Sequence, residues 1–342
     1  MEKEKYKVTI IIPVYNVKEY LKECIDSIIS LKGIEIIIID DGSNDGSEQI
    51  CNYYQENKKN VKVIHKKNEG PAVARNIGLR MATGKYIAFL DSDDKVKTQE
   101  LQKVINNICK KQDEEDVLLG EKFTIIFPRK TTKEVESKMN LLHADRGTNI
   151  LEKFLPNSML SMNYVWLNMY SRKFIIENNI FFDEDVHLGE DTDWLIKVIL
   201  KANRVNVIEN SYYIYRGNRR GSIVTEKTKE AVYGYFKMVE RWNDKKMQEN
   251  SNLEIKIKTF FSEGFFMNLK YIYGYEKNVR NSFINEIENA KFLKYPNSKK
   301  SKKIAKNIKT IGIKNTLRIL NFKYRVFKNV KNFCIKIKLI DR

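Results

Sequence analysis

Short apolar runs alternate with amphipathic stretches over the first hundred residues. Val8 to Pro13, Ile34 to Ile39, Val61 to Ile64 and Tyr86 to Leu90 are apolar segments of strand length. Between the first two, Val17 to Ser30 carries Tyr20, Leu21, Cys24 and Ile28 at helical spacing, with Leu31 just beyond. Asp45-Gly46-Ser47 predicts a helix start reaching about Glu56. Asn68-Glu69-Gly70-Pro71 predicts a turn that launches a helix over Ala72 to Ala82, with Pro71 suited to its first turn. Apolar strands alternating with helices predict a doubly wound, mostly parallel α/β sheet.

The pattern continues less evenly. Thr98 to Lys111 reads as an amphipathic helix, Phe123 to Phe127 as a strand, and Lys130 to Met139 as a polar, mobile loop within a poorly patterned region from Gly120 to Asn157. Order returns with Val165 to Tyr170, a helix from Arg172 to Glu177, a helix from Thr192 to Lys201, and strands at Val205 to Ile208 and Tyr212 to Tyr215. Beyond about Thr228 the spacing is helical and free of repeats. Two regions follow from this, a catalytic α/β domain over residues 1–225 and a helical region over 226–342.

Composition changes the picture only at one end. The formal net charge of +18 is concentrated in residues 291–342, where 17 Lys and Arg face a single acid, Asp341; the other residues hold 45 bases and 43 acids. The basic character therefore belongs to a tail, and no RNA- or DNA-reading motif accompanies it. No apolar run reaches the length that crosses a bilayer, and Met1 to Lys5 lead into the first strand without a signal-peptide apolar region, so a cytoplasmic protein is expected. Cys24, Cys51, Cys109 and Cys334 are scattered and read as reduced, mostly buried thiols.

Candidate chemistry gathers at strand ends. Strand one ends in Pro13-Val14-Tyr15-Asn16, strand two in Asp40-Asp41, and strand four in Asp91-Ser92-Asp93-Asp94. Parallel strands bring such ends to one edge, where open α/β sheets bind ligands. Tyr15 can stack on a base, and the Asp41 carboxylate can accept an imide N–H. Asp91 and Asp93 offer hard oxygen ligands for Mg²⁺ or Mn²⁺ beside a diphosphate. The competing reading is that Asp40, Asp41 and Asp94 cap turns and helices. Arg75, taken alone, reads as a solvated surface arginine. Glu190-Asp191 is either a base for a sugar hydroxyl or an ordinary acidic pair at a helix N-terminus, and spacing does not choose. The dinucleotide-binding and P-loop glycine patterns are missing.

Four segments in this order, Val8 to Asn16, Ile39 to Ser47, Asn68-Glu69-Gly70 with Ala74 to Gly78, and Ala82 to Asp94, resemble family 2 glycosyltransferases of the GT-A fold. Gly189-Glu190-Asp191 with Trp194, and Tyr213 to Arg216 before Gly221-Ser222-Ile223, resemble the family's acceptor-side elements. The resemblance implies inverting transfer from a nucleotide sugar, with a UDP donor expected. It implies Pro13, Tyr15 and Asp41, with Asp40, at the nucleobase, and Arg75 and Ser92 near the donor. Asp93 would be the chief metal ligand, assisted by Asp91. Asp191 would be the general base with Glu190 beside it, and Trp194 and His187 would lie toward the acceptor. The implied acceptor is a lipid-linked oligosaccharide or a surface-polysaccharide precursor. The alternatives are a non-catalytic protein on the same scaffold and a nucleic-acid-binding basic protein.

The tail adds one more expectation. Ile304, Ile308 and Ile311, then Leu317, Leu320, Tyr324 and Phe327, fall at near-helical spacing among lysines. Such a helix either lies on an anionic membrane surface, placing the protein at the inner face of the cell membrane, or packs on the rest of the chain.

Overall fold

A computed structural model describes residues 6–108, 114–127, 131–136, 145–155, 164–209, 211–217, 228–247 and 251–336. The chain divides into two compact units. The first comprises Met1–Phe154, Ser158–Asp185 and Gly189–Arg219; the second comprises Leu155–Asn157, Val186–Leu188 and Arg220–Arg342.

The first unit begins with β1 (Val8–Val14), α1 (Lys18–Asp26), β2 (Ile34–Asp40), α2 (Ser47–Asn57), β3 (Val61–His65), α3 (Pro71–Met81) and β4 (Tyr86–Phe89). It continues through β5 (Lys95–Val96), α4 (Thr98–Ile108), β6 (Val117–Gly120), β7 (Lys122–Ile126), β8 (Thr132–Glu136), α5 (Gly147–Phe154) and β9 (Met169–Ser171). α6 (Arg172–Glu177), α7 (Glu190–Lys201), β10 (Val205–Ile208) and β11 (Tyr213–Arg216) complete it. The main sheet has the order β10-β6-β9-β4-β1-β2-β3 and is parallel except for β9. Every residue of β2 and β4 is buried, as expected for strands covered on both faces. α3 lies close against this sheet because Gly78 has no side chain: a Cβ there would meet Ile11 at 2.4 Å.

A second sheet of order β5-β11-β7-β8 stands beside the first. Its edge strand β8 corrects the expectation of a loop over Lys130 to Met139. Thr132–Glu136 pairs antiparallel with β7, and its polar sequence reflects exposure, since four of its five residues are solvent-facing. The flanking residues of that segment lie outside the described residues. α5 also forms inside the region that lacked a readable pattern, as an eight-residue helix, and β6, a four-residue strand, runs up to the start of that region.

The second unit is helical: α8 (Lys229–Asp244), α9 (Ser251–Ile272), α10 (Lys277–Glu288) and α11 (Lys299–Lys336). Trp242 stacks on Phe261 at 5.0 Å, and Phe292 lies edge-on to Phe265 and Phe266. Glu263 on α9 accepts from the backbone N–H groups of Asn297 and Ser298 and from the Ser301 hydroxyl, anchoring the start of α11. Gly312 interrupts α11 with φ 78° and ψ 160°. Beyond it, Ile313, Thr316, Leu317 and Asn321 are buried, Tyr324 meets Tyr271 at 5.1 Å, and Asn321 Nδ2 donates to Lys270 O. The apolar face expected for the tail is thus mainly a packing face in its described part. Ile304 and Leu317 are buried and Leu320 is half-buried, whereas Ile311 and Phe327 are exposed.

One buried carboxylate fastens three segments of the main sheet. Glu35, only 1% exposed, sits in β2 and accepts from Thr9 Oγ1 (2.7 Å), Thr83 N and Oγ1 (both 2.9 Å) and Lys62 Nζ (2.8 Å). Burial opposes its ionisation, but the donors from Lys62, Thr9 and Thr83 prevail and hold its pKa below the ordinary range. Glu35→Ala is expected to destabilise the fold by about 2–4 kcal/mol at pH 7, because it leaves buried donors unmatched. A depressed native pKa gives stability that is present above the unfolded value near 4.3 and lost as pH falls through the native value. The stability difference between wild type and Glu35→Gln, measured by urea denaturation, is therefore expected to shrink below about pH 4.

Candidate active site

Adjacent parallel strands β4, β1 and β2 place their C-terminal ends along one edge. Val14 is in register with Asp40, and Asp41 N donates to Val14 O at 2.8 Å, so Tyr15 and Asp41 emerge from neighbouring strands. Pro13 is half-buried, while Tyr15 is 46% exposed and open to stacking.

The two aspartates behind Tyr15 are held by different partners. Asp40 accepts from Ser43 N (3.0 Å) through one oxygen and meets His65 Nδ1 (2.7 Å) through the other. It is 3% exposed, as Asp41 is, and organises the turn after β2. His65 reaches onward to Asn52 Oδ1 at 2.9 Å, so the ring pins β3 to α2 as well. Asp41 accepts from Lys66 Nζ (2.6 Å), Glu69 N (2.9 Å) and Gly70 N (2.8 Å). Asp41 is likewise only 3% exposed, and three of the roughly four lone-pair sites of its carboxylate are taken. Lys66 also pairs with Glu69, and this lysine was not singled out from the sequence.

Arg75 is not a surface residue. It is 5% exposed on α3, and its guanidinium gathers carboxylates from two distant segments. Nη1 donates to Asp191 Oδ1 at 2.8 Å and lies 3.4 Å from Glu190 Oε1, and Nη2 donates to Asp91 Oδ1 at 3.2 Å. The Phe182 ring lies 5.5 Å from its central carbon, and its buried Nε has no hydrogen-bond partner among the described residues. The carboxylates keep 25% (Asp91), 15% (Glu190) and 22% (Asp191) of their side-chain surface exposed. A ligand can therefore reach the acids although the arginine behind them is covered. Burial pushes the Asp191 carboxyl up to about 8, with Arg75 opposing the rise and Glu190 and Asp91 adding to it.

Glu190 and Asp191 occupy the first turn of α7, whose N-cap is Gly189 at φ 81°. The macrodipole favours these acids at the helix start, and Arg75 pairs with both. Trp194 does not line an acceptor cleft. It is fully buried, stacked on Phe182 at 4.6 Å, edge-on to Phe89 and Tyr170, with Nε1 donating to Ile180 O. Its burial, not its spacing from the acids, places it against the core side of α7, where it supports the site from within. His187 is exposed and belongs to the second unit.

The acid turn after β4 is held by β11. Asp94, 1% exposed, accepts from Tyr213 Oη (2.9 Å) and Arg216 N (2.7 Å), and Tyr213 Oη also accepts from Asp91 N (3.2 Å). Arg216 Nε donates to Asp93 O at 2.8 Å and its Nη2 to Glu23 Oε2 at 2.7 Å. Burial drives the Asp94 carboxyl well above its ordinary range, and the charges of Asp93 and Asp91 push it further. Ser92 is buried and Asp93 half-buried. Asp94 is turned inward by β11, while Asp91 and Asp93 stay partly exposed. Cys24, buried beneath the turn, has its thiol 3.7 Å from Asp91 O. Gly221-Ser222-Ile223 lies outside the described residues.

Among the described residues no three His, Cys, Asp or Glu side chains converge as a metal site. Asp91 and Asp93, both partly exposed at the strand end, are hard oxygen donors of the kind that Mg²⁺ uses, so the donor chemistry fits.

With this geometry established, the comparisons with known proteins fall into place. Residues 9–177 match the family described as glycosyl transferase family 2. The chain carries a family 2 glycosyltransferase domain. The uncharacterized glycosyltransferase EpsJ of Bacillus subtilis is 33% identical over 214 residues, 62% of this chain and 61% of EpsJ. The chain thus spans about three fifths of that relative's length. A cholesterol galactosyltransferase of Borreliella burgdorferi is 28% identical over 82% of this chain and 79% of its own. The crystal structure of S. aureus TarS 1-349 in complex with UDP-GlcNAc superimposes with a TM-score of 0.67 at 21% identity, covering 93% of this chain and 91% of that one. At that identity the likeness establishes the fold, the expected GT-A arrangement with its helical C-terminal part.

Arg75→Ala is expected to leave Asp91, Glu190 and Asp191 uncompensated and to destabilise the glycosyltransferase domain by about 3–5 kcal/mol at pH 8. The loss should be smaller at pH 5.5, where Asp191 binds a proton and one of the three repelling charges disappears. Urea denaturation of wild type and variant at the two pH values checks this.

Proposed function

We propose that this chain is an inverting, metal-dependent hexosyltransferase. It moves a sugar from a nucleotide sugar, a UDP-sugar in our reading, to a hydroxyl of a lipid-linked oligosaccharide or surface-polysaccharide precursor. The observation that carries the proposal is the convergence on Arg75 of Asp91, from the strand-end turn, and of Glu190 and Asp191, from α7. The family match supports the reaction class, and the UDP-GlcNAc complex of the structural neighbour supports the donor class.

In this reading Tyr15 stacks on the base and Asp41 accepts its N–H. Asp191 removes the proton from the acceptor hydroxyl as that oxygen bonds to the anomeric carbon. The bond from that carbon to the diphosphate breaks in the same displacement, on the opposite face, which inverts the configuration. An Asp191 pKa near 8 suits this role, because a base is most effective when its pKa lies near the working pH. Arg75 keeps Asp191 pointed at the edge, and Glu190 steers the sugar. Asp93, with Asp91, would hold Mg²⁺ or Mn²⁺, which when bound offsets charge on the departing diphosphate. No helix among the described residues is long and apolar enough to cross a membrane, and we place the enzyme on the cytoplasmic face, touching anionic lipid through its basic C-terminal region.

Thermal-shift measurements with UDP and a panel of UDP-sugars are expected to show stabilisation that Mn²⁺ increases and that Asp93→Asn reduces; no shift with any nucleotide sugar would overturn the reading. For the responding donor, Asp191→Asn should retain binding while turnover falls about 10²- to 10⁴-fold. Wild-type turnover should rise with pH toward about 8, as Asp191 loses its proton.

A further inference from the structure

The described part of α11 presents two apolar faces, and only one of them is packed. On the inner side lie Ile313, Leu317, Leu320 and Tyr324. A second stripe, Ile319, Phe322 and Val326, recurs at i, i+3 and i+7, within about 60° of arc at 3.6 residues per turn. These residues are 38%, 68% and 48% exposed, and Phe327, on the far side of Lys323 and three residues past Tyr324, is 69% exposed. Arg318 and Arg325 run along one border of the stripe and Lys323 along the other, all exposed. From Lys299 to Lys336 the helix holds 13 Lys and Arg and no Asp or Glu.

We infer that the Ile319–Phe322–Val326 stripe, with Phe327, is a docking face for an anionic bilayer surface. Two large aromatic rings in water favour an apolar partner, and cationic borders with no ion pair among the described residues favour an anionic one, although Arg318 Nε also donates to Tyr273 Oη. An acidic lipid surface supplies both, headgroups for the arginines and lysine and the acyl boundary for the rings. A nucleic acid would satisfy the charges and leave the aliphatic side chains without a partner. The inference deepens the membrane-surface part of the proposed function, and of the face expected from the sequence it keeps only Phe327. Because the inner face is already packed, the helix lies flat, with the stripe outward.

Flotation of the full chain with phosphatidylcholine vesicles containing 30% phosphatidylglycerol tests this. Wild type is expected to float with these vesicles, weakly with pure phosphatidylcholine, and less as salt rises. Phe322→Gln combined with Phe327→Gln should weaken binding at least tenfold. Lys323→Gln combined with Arg325→Gln should weaken it on the order of 30-fold. UDP binding and the thermal midpoint, measured on the same samples, should stay unchanged, which separates failure here from failure of the donor reading. Three results would overturn the inference: no flotation of wild type with anionic vesicles, equal flotation of the phenylalanine variant, or a wild-type dimer that this variant dissociates while vesicle binding is absent.

Discussion

A buried guanidinium holding carboxylates from two remote segments is the constraint on which this site depends. Arg75 pays no stability dividend by being buried alone, since desolvating a cation costs several kcal/mol, and only close anionic partners offset that cost. Those partners come from the end of β4 and from the start of α7, about 100 residues apart in sequence. The ion cluster therefore requires that the sheet place Asp91 at its edge and that α7 begin where it does. Gly78, one turn further along α3, lets that helix sit close enough to β1 for the guanidinium to reach both. Packing and electrostatics are joined at this helix.

The acid turn is fixed from the other side. Tyr213 and Arg216 of β11 take the Asp94 carboxylate, the Asp91 amide and the Asp93 carbonyl. With Asp94 held inward and protonation favoured by its neighbours, the turn presents two carboxylates instead of three. β11 belongs to the small sheet, so the geometry of the acid turn is set jointly by both sheets. Trp166, stacked on Tyr213 at 4.1 Å, carries that support one layer deeper into the core.

Much of the α/β architecture was legible because burial on both faces leaves long apolar runs, as in Ile34 to Ile39, and because turn residues mark their ends. The acids at the strand ends were legible for the same reason. Local pattern could not show which acids are occupied. Asp40 and Asp41 are neighbours of the same type and equally buried, yet Asp40 is held by Ser43 and His65 while Asp41 is held by Lys66 and the amides of Glu69 and Gly70, partners that lie in the 65–70 loop. Arg75 read as solvated because its partners are remote in sequence, and Trp194 read as a site residue because proximity to Asp191 along a helix says nothing about which side it faces. β8 was missed because an exposed edge strand carries no apolar alternation.

The tail shows the same limit more sharply. A single helical period fits one apolar stripe, and the residues chosen by that period mostly face inward, held by Leu317, Asn321 and Tyr324 against α9. Isolated helices are marginal in water, so a tail that folds only on lipid would spend part of its binding free energy on ordering the backbone. Here the inner face supplies that order in advance. The stripe at Ile319, Phe322 and Val326 is then a preformed surface, and contact with lipid has only to desolvate side chains that already stand in place.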